Sequence, residues 1–211
     1  VSTFHSMGIN TTYFAENVNQ TSSTDTVSFT STVTSSFFLK GIDILSMSTK
    51  KNLVAIGDSI TDGYRSDFDL NHRWTDLLAA RLRASGDPAT AIVNAGISGN
   101  RVSNTANDAE GESGVTRFDT DVVRRAGTTG VMIYEGVNDV RRGVSSADTI
   151  AALANLVTQA RNADLAVNIA TIEPMYSCGA AVPENEIARQ DVNAWILANS
   201  IGADYVVDFD A

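Results

Sequence analysis

From residue 51 onwards the chain alternates short apolar segments with longer amphipathic ones, and no other feature constrains its fold as strongly. The apolar segments recur at about the spacing of one strand–helix unit. We predict that they are β-strands: Leu53–Ile56, Ala91–Val93, Val131–Tyr134, Ala166–Ala170 and Tyr205–Asp208. Uniformly apolar strands, each followed by a helix, are typical of a parallel sheet covered on both faces. The sequence therefore predicts an α/β fold with a five-stranded parallel sheet.

The segments between these strands carry apolar residues at helical spacing. Three such sets are found: Trp74, Leu77, Leu78 and Leu82; Ile150, Leu153 and Val157; and Ile187, Val192, Trp195 and Ile196. In open sheets of this kind ligands bind at the carboxyl ends of the strands. Candidate functional residues are therefore expected where the strands end.

The first 50 residues have a different composition. Residues 21–36 are mostly Ser and Thr, with Val27, Phe29 and Val33 at even intervals, a pattern typical of exposed antiparallel strand. The stretch SSFFLKGIDIL continues it. A disordered Ser/Thr linker is the alternative, which the Phe, Val and Ile content disfavours. We therefore divide the chain into a β-rich N-terminal extension, residues 1–50, and an α/β domain, residues 51–211.

Composition argues against several classes of partner and cofactor. A net charge of −10 and an isoelectric point near 4.5 disfavour binding to nucleic acid or to anionic membranes. No apolar run approaches the roughly 20 residues of a membrane-spanning helix. No basic-then-apolar leader follows Val1. Because His5, His72 and Cys178 are the only histidines and cysteine, we expect no structural zinc within one chain. We also expect that the protein needs no metal or organic cofactor.

The first strand end, AIGDSITDG, places Ser59 directly between a strand and a turn. A hydroxyl there is exposed at the sheet edge beside free N–H groups of the next turn, as a nucleophile for acyl transfer requires. The pattern is not G-x-S-x-G, because Thr61 replaces the second glycine, and it lacks the lysine of a phosphate loop. A turn capped by Asp58 or Ser59 is the structural alternative.

Two further strand ends carry matching features. In VNAGISGN, Gly96 and Gly99 let backbone N–H groups approach a ligand closely. In VMIYEGVNDV, the amide of Asn138 can donate to an oxyanion. A flexible turn and a cap formed by Asn138 and Asp139 are the respective alternatives. Together, a serine, a glycine N–H and an asparagine on successive strand ends predict an acyl-transfer site.

GDSITDGY, GISGN and GVND resemble the first three sequence blocks of the SGNH (GDSL) hydrolase superfamily, in order and spacing, over residues 51–211. The resemblance implies a flavodoxin-like three-layer α/β/α fold, hydrolysis of carboxylic esters and extracellular secretion. It also implies that Ser59 is the nucleophile, and that the N–H groups of Ser59 and Gly99 and the Asn138 amide form the oxyanion hole. Residues 1–50 resemble the last strands of a longer β-rich module found in some extracellular members.

The superfamily's catalytic Asp and His belong to a D-x-x-H block after the fifth strand, where this sequence has only DYVVDFDA. Three explanations remain. In the first, which we favour, the sequence is part of a longer esterase. This explanation includes the case in which the chain associates with a separate C-terminal fragment. Alternatively His72, or less readily His5, substitutes as the base. In the third, the protein is catalytically deficient or a partner supplies the histidine.

We therefore predict a serine esterase that forms an acyl-enzyme on short-chain, acetylated-carbohydrate or lysolipid esters. The alternative is a binding module that keeps the hydrolase fold without catalysis. No oligomeric state is predicted.

Overall fold

The structure is a computed structural model that describes residues 4–5, 8–37, 41–45, 47, 50–87, 89–103, 110–175 and 182–211. Cys178 and residues 38–40 of the predicted N-terminal strands lie outside this part. The chain packs as two compact units. The first comprises Val1–Leu45 with Arg65–His72, and the second comprises Ser46–Tyr64 with Arg73–Ala211.

The first unit contains two small antiparallel sheets. Strand β1 (Phe4–His5) pairs with β4 (Ser36–Phe37), and β2 (Thr12–Phe14) pairs with β3 (Ser31–Val33). The segment 65–72 is fastened to this unit by Asp69, whose carboxylate accepts from the N–H and hydroxyl of Thr11, both at 2.6 Å. The short β-rich extension predicted from the sequence is thus present.

The predicted strand over residues 21–36 is wrong for its first ten residues, which form turns and irregular backbone. Local hydrogen bonds explain the difference. The Asn19 side chain accepts from the N–H and hydroxyl of Thr21, and Asp25 accepts from the N–H of Val27. Short polar side chains compete in this way with strand pairing. Residues 41–45 are also outside any strand.

The second unit is built on five parallel strands: β5 (Lys51–Gly57), β6 (Thr90–Gly96), β7 (Gly130–Tyr134), β8 (Ala166–Ala170) and β9 (Tyr205–Val207). Their order across the sheet is β6-β5-β7-β8-β9. This is the order of flavodoxin-like sheets, with the topological switch point between β5 and β7. The five predicted strands are confirmed: β8 has the predicted bounds, and the ends of the other four differ from the predicted ones by at most three residues.

The helices are α1 (Ser59–Asp62), α2 (Trp74–Ala84), α3 (Gly114–Phe118), α4 (Val137–Arg141), α5 (Ser146–Asn162) and α6 (Pro183–Ala198), with a π-helical turn over Asp119–Val123 after α3. A side chain caps α5, where Ser145 Oγ accepts from the N–H of Asp148. Leu77 and Ile187, which were predicted to lie on the apolar faces of α2 and α6, are instead exposed.

Apolar side chains cover both faces of the sheet. Because residues alternate between faces along a strand, Val54 and Ile56 join one core cluster, whereas Ala55 joins the other. The first cluster includes Phe118, Leu153 and Val192 from α3, α5 and α6. The second is smaller and packs against Trp74 of α2. No helix within the described residues is long and apolar enough to cross a membrane.

Candidate active site

Ser59 is the first residue of α1 and follows the end of β5 after a single residue. That intervening residue, Asp58, is buried and caps the helix by accepting from the N–H of Ile60 at 2.9 Å. The turn is therefore capped by Asp58, as the structural alternative predicted. The same cap leaves the half-buried Ser59 at the helix N-terminus, where backbone N–H groups lack intrahelical partners. Among the described residues, the Ser59 hydroxyl has no hydrogen-bond partner.

Two glycines let α1 lie against the sheet edge. Gly57 and Gly96 are paired neighbours at the ends of β5 and β6. A Cβ on Gly57 would collide with the side chain of Thr61, and one on Gly96 would collide with the backbone of Asp62. The Gly96 N–H itself donates to the Asn94 side chain at 2.9 Å. The prediction that Gly96 offers its N–H to a ligand is therefore wrong, because its role is close packing with α1.

The loop after β6 is bonded directly to the Ser59 turn. Ile97 donates its N–H to the carbonyl of Gly57 at 3.0 Å, and the Ser98 hydroxyl donates to the Asp62 carboxylate at 2.6 Å. The next residue, Gly99, has a φ of +82°, a backbone angle that residues other than glycine rarely adopt. Its N–H has no acceptor within the described part of the chain. A free backbone donor thus lies in the loop that contacts α1.

Asn138 is buried in the first turn of α4, after Gly136 at a φ of +119°. Its side-chain N–H donates to the backbone carbonyl of Asn100 at 2.9 Å. Neither Asn138 nor Asp139 caps the helix, so that alternative is wrong. Asp139 instead accepts from the N–H groups of Val102 and Ser103 at 2.9 and 3.0 Å. Both side chains of the ND pair therefore hold the loop that carries Gly99.

The sequence of residues 55–210 matches the model of the GDSL-like lipase/acylhydrolase family. The chain belongs to this family. A search of curated proteins found no significant match.

Solved structures of GDSL and SGNH proteins share the fold. AlinE4, described as an SGNH-hydrolase family esterase, has a TM-score of 0.61 and 21% identity, over 78% of this chain and 79% of that one. TesA has a TM-score of 0.56 and 25% identity, over 73% and 76%. Est24, a carbohydrate acetylesterase from Sinorhizobium meliloti, has a TM-score of 0.58 and 18% identity, over 74% and 83%.

In this GDSL-like chain, sequence reasoning missed Arg117 of α3 and Glu135 at the end of β7. Their side chains are 4% and 0% exposed, and Arg117 Nη2 lies 3.5 Å from a Glu135 carboxylate oxygen. Neither Glu135 oxygen has a hydrogen-bond partner among the described residues. Charged residues are rarely buried unless they are paired, and the pairing of Arg117 with Glu135 cannot be read from the sequence around either residue.

Several carboxyl groups are buried in the turns that follow β5 and β7, among them those of Asp58, Glu135 and Asp139. Burial raises the pKa of Asp58 well above its ordinary value, and neighbouring acids add to the effect. Burial also raises the pKa of Asp139, against the hydrogen bonds from Ser103 and Val102. For Glu135, burial raises the pKa to about 7, although the Arg117 charge opposes it. Burial lowers the local dielectric, so hydrogen-bond donors beside these groups act more strongly on a negative charge than donors in water do.

An aromatic group lies at the carboxyl edge of the sheet, on the face opposite to the first core cluster. The hydroxyl of Tyr134, the last residue of β7, donates to Glu173 at 2.8 Å. Its ring lies 6.4 Å from that of Trp74 and 5.0 Å from that of Phe209. Burial and the Glu173 charge raise the pKa of Tyr134. This hydroxyl therefore stays protonated at ordinary pH and acts as a donor.

His72, the predicted substitute base, lies in the first unit, two residues before α2 begins. Its Nδ1 is 2.8 Å from the carboxylate of the exposed Asp67. Asp69 and His72 have the spacing D-x-x-H, but they lie before α2 and not after the fifth strand. Asp69 is bonded to Thr11 and not to His72. The His5 side chain lies outside the described part. No metal-binding cluster occurs among the described residues.

Proposed function

We propose that the chain is a carboxylic ester hydrolase that uses Ser59 as its nucleophile and passes through an acyl-enzyme. The observation that carries the proposal is the direct bonding of three segments. The loop of Gly99 contacts the Ser59 turn through Ser98 and Asp62, and the Asn138 amide contacts the same loop at Asn100. This bonding supports the proposal, because the segments that carry the hydroxyl and the N–H donors meet at the carboxyl edge of one sheet.

In this mechanism the Ser59 oxygen attacks the ester carbonyl carbon, and the carbonyl oxygen becomes an oxyanion. The N–H groups of Ser59 and Gly99 and the side-chain amide of Asn138 donate to that oxyanion. Collapse of the tetrahedral intermediate breaks the bond to the leaving alcohol and forms the acyl-enzyme. Water then attacks the acyl group and releases the acid and free Ser59.

A histidine takes the proton of Ser59 and returns it to the leaving alcohol. Two sources are considered: His72, whose ring is oriented by Asp67, and a histidine outside this sequence. His72→Gln distinguishes them. Loss of turnover in that variant assigns the base to His72, whereas unchanged turnover assigns it elsewhere.

For the substrate we propose a short-chain, acetylated-carbohydrate or lysolipid ester. The carbohydrate acetylesterase among the fold neighbours supports the second of these. The net charge of −10 favours neutral esters over anionic ones, since the field of the protein repels anions.

A binding module that keeps the fold without catalysis is the second candidate. It is favoured by the Ser59 hydroxyl itself, which has no hydrogen-bond partner among the described residues and so no bonded base. Hydrolysis of p-nitrophenyl acetate tests both, with Ser59→Ala as the variant and Ser85→Ala, far along the chain at the end of α2, as the control. Turnover that is lost only in Ser59→Ala supports the esterase. Turnover that persists in Ser59→Ala overturns the nucleophile. No turnover in the wild type favours the binding module or a base that lies outside this sequence.

A further inference from the structure

Arg117 makes an unusually complete set of contacts for a residue outside the proposed site. Its side chain is 4% exposed. Nε donates to the side-chain oxygen of Asn100 at 2.9 Å, Nη1 to the carbonyl of Ala95 at 2.6 Å, and Nη2 to the carbonyl of Gly57 at 2.9 Å. One guanidinium thus bonds to the ends of β5 and β6 and to the loop that follows β6.

Each bonded segment carries a proposed site residue. Gly57 precedes Ser59 by two residues, and Asn100 directly follows Gly99. The carbonyl of Asn100 also accepts from the Asn138 amide, so the third site residue is linked to Arg117 through a single residue. The geometry of Ser59, Gly99 and Asn138 relative to one another therefore depends on where this guanidinium lies.

The charge of Arg117 is balanced inside the protein. Asp121 lies 3.3 Å from Nη1, and Glu135 lies 3.5 Å from Nη2. A buried ion pair is weak as a source of stability, because desolvation of both charges offsets their attraction. What the arrangement provides is fixed donor geometry: a planar fork of five N–H groups, which the single ammonium of lysine does not reproduce.

We propose that Arg117 is the positioning residue of the ester-hydrolysis site, which holds the Ser59 turn and the Gly99 loop at the spacing that attack and oxyanion binding require. The inference rests on the proposed function for its kinetic consequence. Its structural consequence, a loop fixed by Arg117, is independent of that function.

The kinetic test compares Arg117→Lys with Arg161→Lys in the full chain. Arg161 also bonds to a carboxylate and a carbonyl, those of Asp204 and Gly202, but it lies at the amino edge of the sheet. We expect Arg117→Lys to lower kcat for p-nitrophenyl acetate about 100-fold, the cost of a misplaced catalytic geometry, with little change in KM. Arg161→Lys should retain kcat.

Chemical rescue separates positioning from folding. Guanidinium at millimolar concentration should restore part of kcat in Arg117→Ala, because it can occupy the space of the missing group and bond to the same carbonyls. It should have no such effect on the wild type. Two results would overturn the kinetic part of the proposal. Either Arg117→Lys retains kcat, or its loss of kcat is fully explained by a smaller fraction of folded protein.

Amide hydrogen exchange tests the loop without any turnover. The N–H of Asn100 donates to Ile97, and that of Val102 donates to Asp139. In Arg117→Lys we expect both to exchange about tenfold faster, the effect of losing about one hydrogen bond, while Arg161→Lys leaves them unchanged. If the wild type shows no Ser59-dependent turnover, the proposed function fails, and exchange alone decides on Arg117. Unchanged exchange in Arg117→Lys rejects the positioning role.

Discussion

The side-chain amide of Asn138 donates to the backbone carbonyl of Asn100 across 2.9 Å. This bond joins the turn after β7 to the loop after β6, two segments separated by 38 residues. It also places the amide one residue from Gly99, whose N–H has no acceptor among the described residues. The fold therefore joins the two segments that carry the donors proposed to bind an oxyanion.

Replacing Asn138 by alanine should lower kcat by a factor of about 100 to 1,000, the usual cost of losing one oxyanion donor. KM should change little, because the donor acts on charge that develops after binding. Steady-state kinetics on p-nitrophenyl acetate measure both constants. Asn52→Ala is the matched control, since Asn52 also donates to a backbone carbonyl, that of Ala126 at 3.2 Å, but lies on β5 at its amino end. Equal kinetic losses in the two variants would remove Asn138 from the site.

The carboxylate of Asp139 should be worth about 2 kcal/mol of unfolding free energy. It accepts from two backbone N–H groups and the hydroxyl of Ser103, and bonds to a charged acceptor are stronger than neutral ones. Asp139→Asn loses the charge and turns one acceptor into a donor. Urea denaturation measures the loss, with Asp148→Asn at the exposed start of α5 as the control. A loss no larger than that of the control would show that the carboxylate does not hold the loop.

Gly96→Ala should impair both stability and turnover, because its Cβ would collide with the backbone of Asp62 in α1. Backbone cannot move aside as a flexible side chain can, so the Ser59 turn must shift. Gly130→Ala is the control on the same sheet, where the nearest atom is a carbonyl oxygen at 3.1 Å. The melting temperature and the turnover of p-nitrophenyl acetate should both fall more in Gly96→Ala than in Gly130→Ala. Wild-type turnover in that variant would mean that α1 does not need this close approach.

Glu135 should make the protein less stable as pH rises. Its pKa in the folded state is about 7, above the ordinary value of 4.5, so between these values the folded state binds more protons than the unfolded state. The free energy of unfolding therefore falls as pH rises from about 4.5 to about 7. In Glu135→Gln this decrease in the free energy of unfolding should be smaller by up to about 3 kcal/mol.

Urea denaturation across that pH range measures the slope, and Glu184→Gln on the exposed surface of α6 serves as control. If Glu135→Gln keeps the wild-type pH dependence, Glu135 does not titrate in this range.

The sheet could be predicted from the sequence because apolar strands alternate with helices along the chain. Ser59, Gly99 and Asn138 could be placed on strand ends for the same reason, and the family resemblance supplied their proposed roles. Arg117 could not be found, since its burial depends on acceptors at Gly57, Ala95 and Asn100, which only the folded sheet brings together.

The N-terminal strands were over-predicted for a related reason. The even spacing of Val27, Phe29 and Val33 suggested a continuous strand, but the Val27 side chain is 80% exposed. Hydrogen bonds from Asn and Asp side chains to nearby backbone decide the turns in this region, and hydrophobic periodicity does not register them.

Covalent labelling tests the central claim, that Ser59 is the nucleophile, most directly. The chain is incubated with a p-nitrophenyl alkylphosphonate, which leaves a stable phosphonyl group on an attacking hydroxyl. Peptide mass spectrometry then locates the adduct. We predict one adduct, on Ser59, that is absent in Ser59→Ala and strongly reduced in Asn138→Ala. An adduct on another residue, or labelling that survives in Ser59→Ala, would contradict the account.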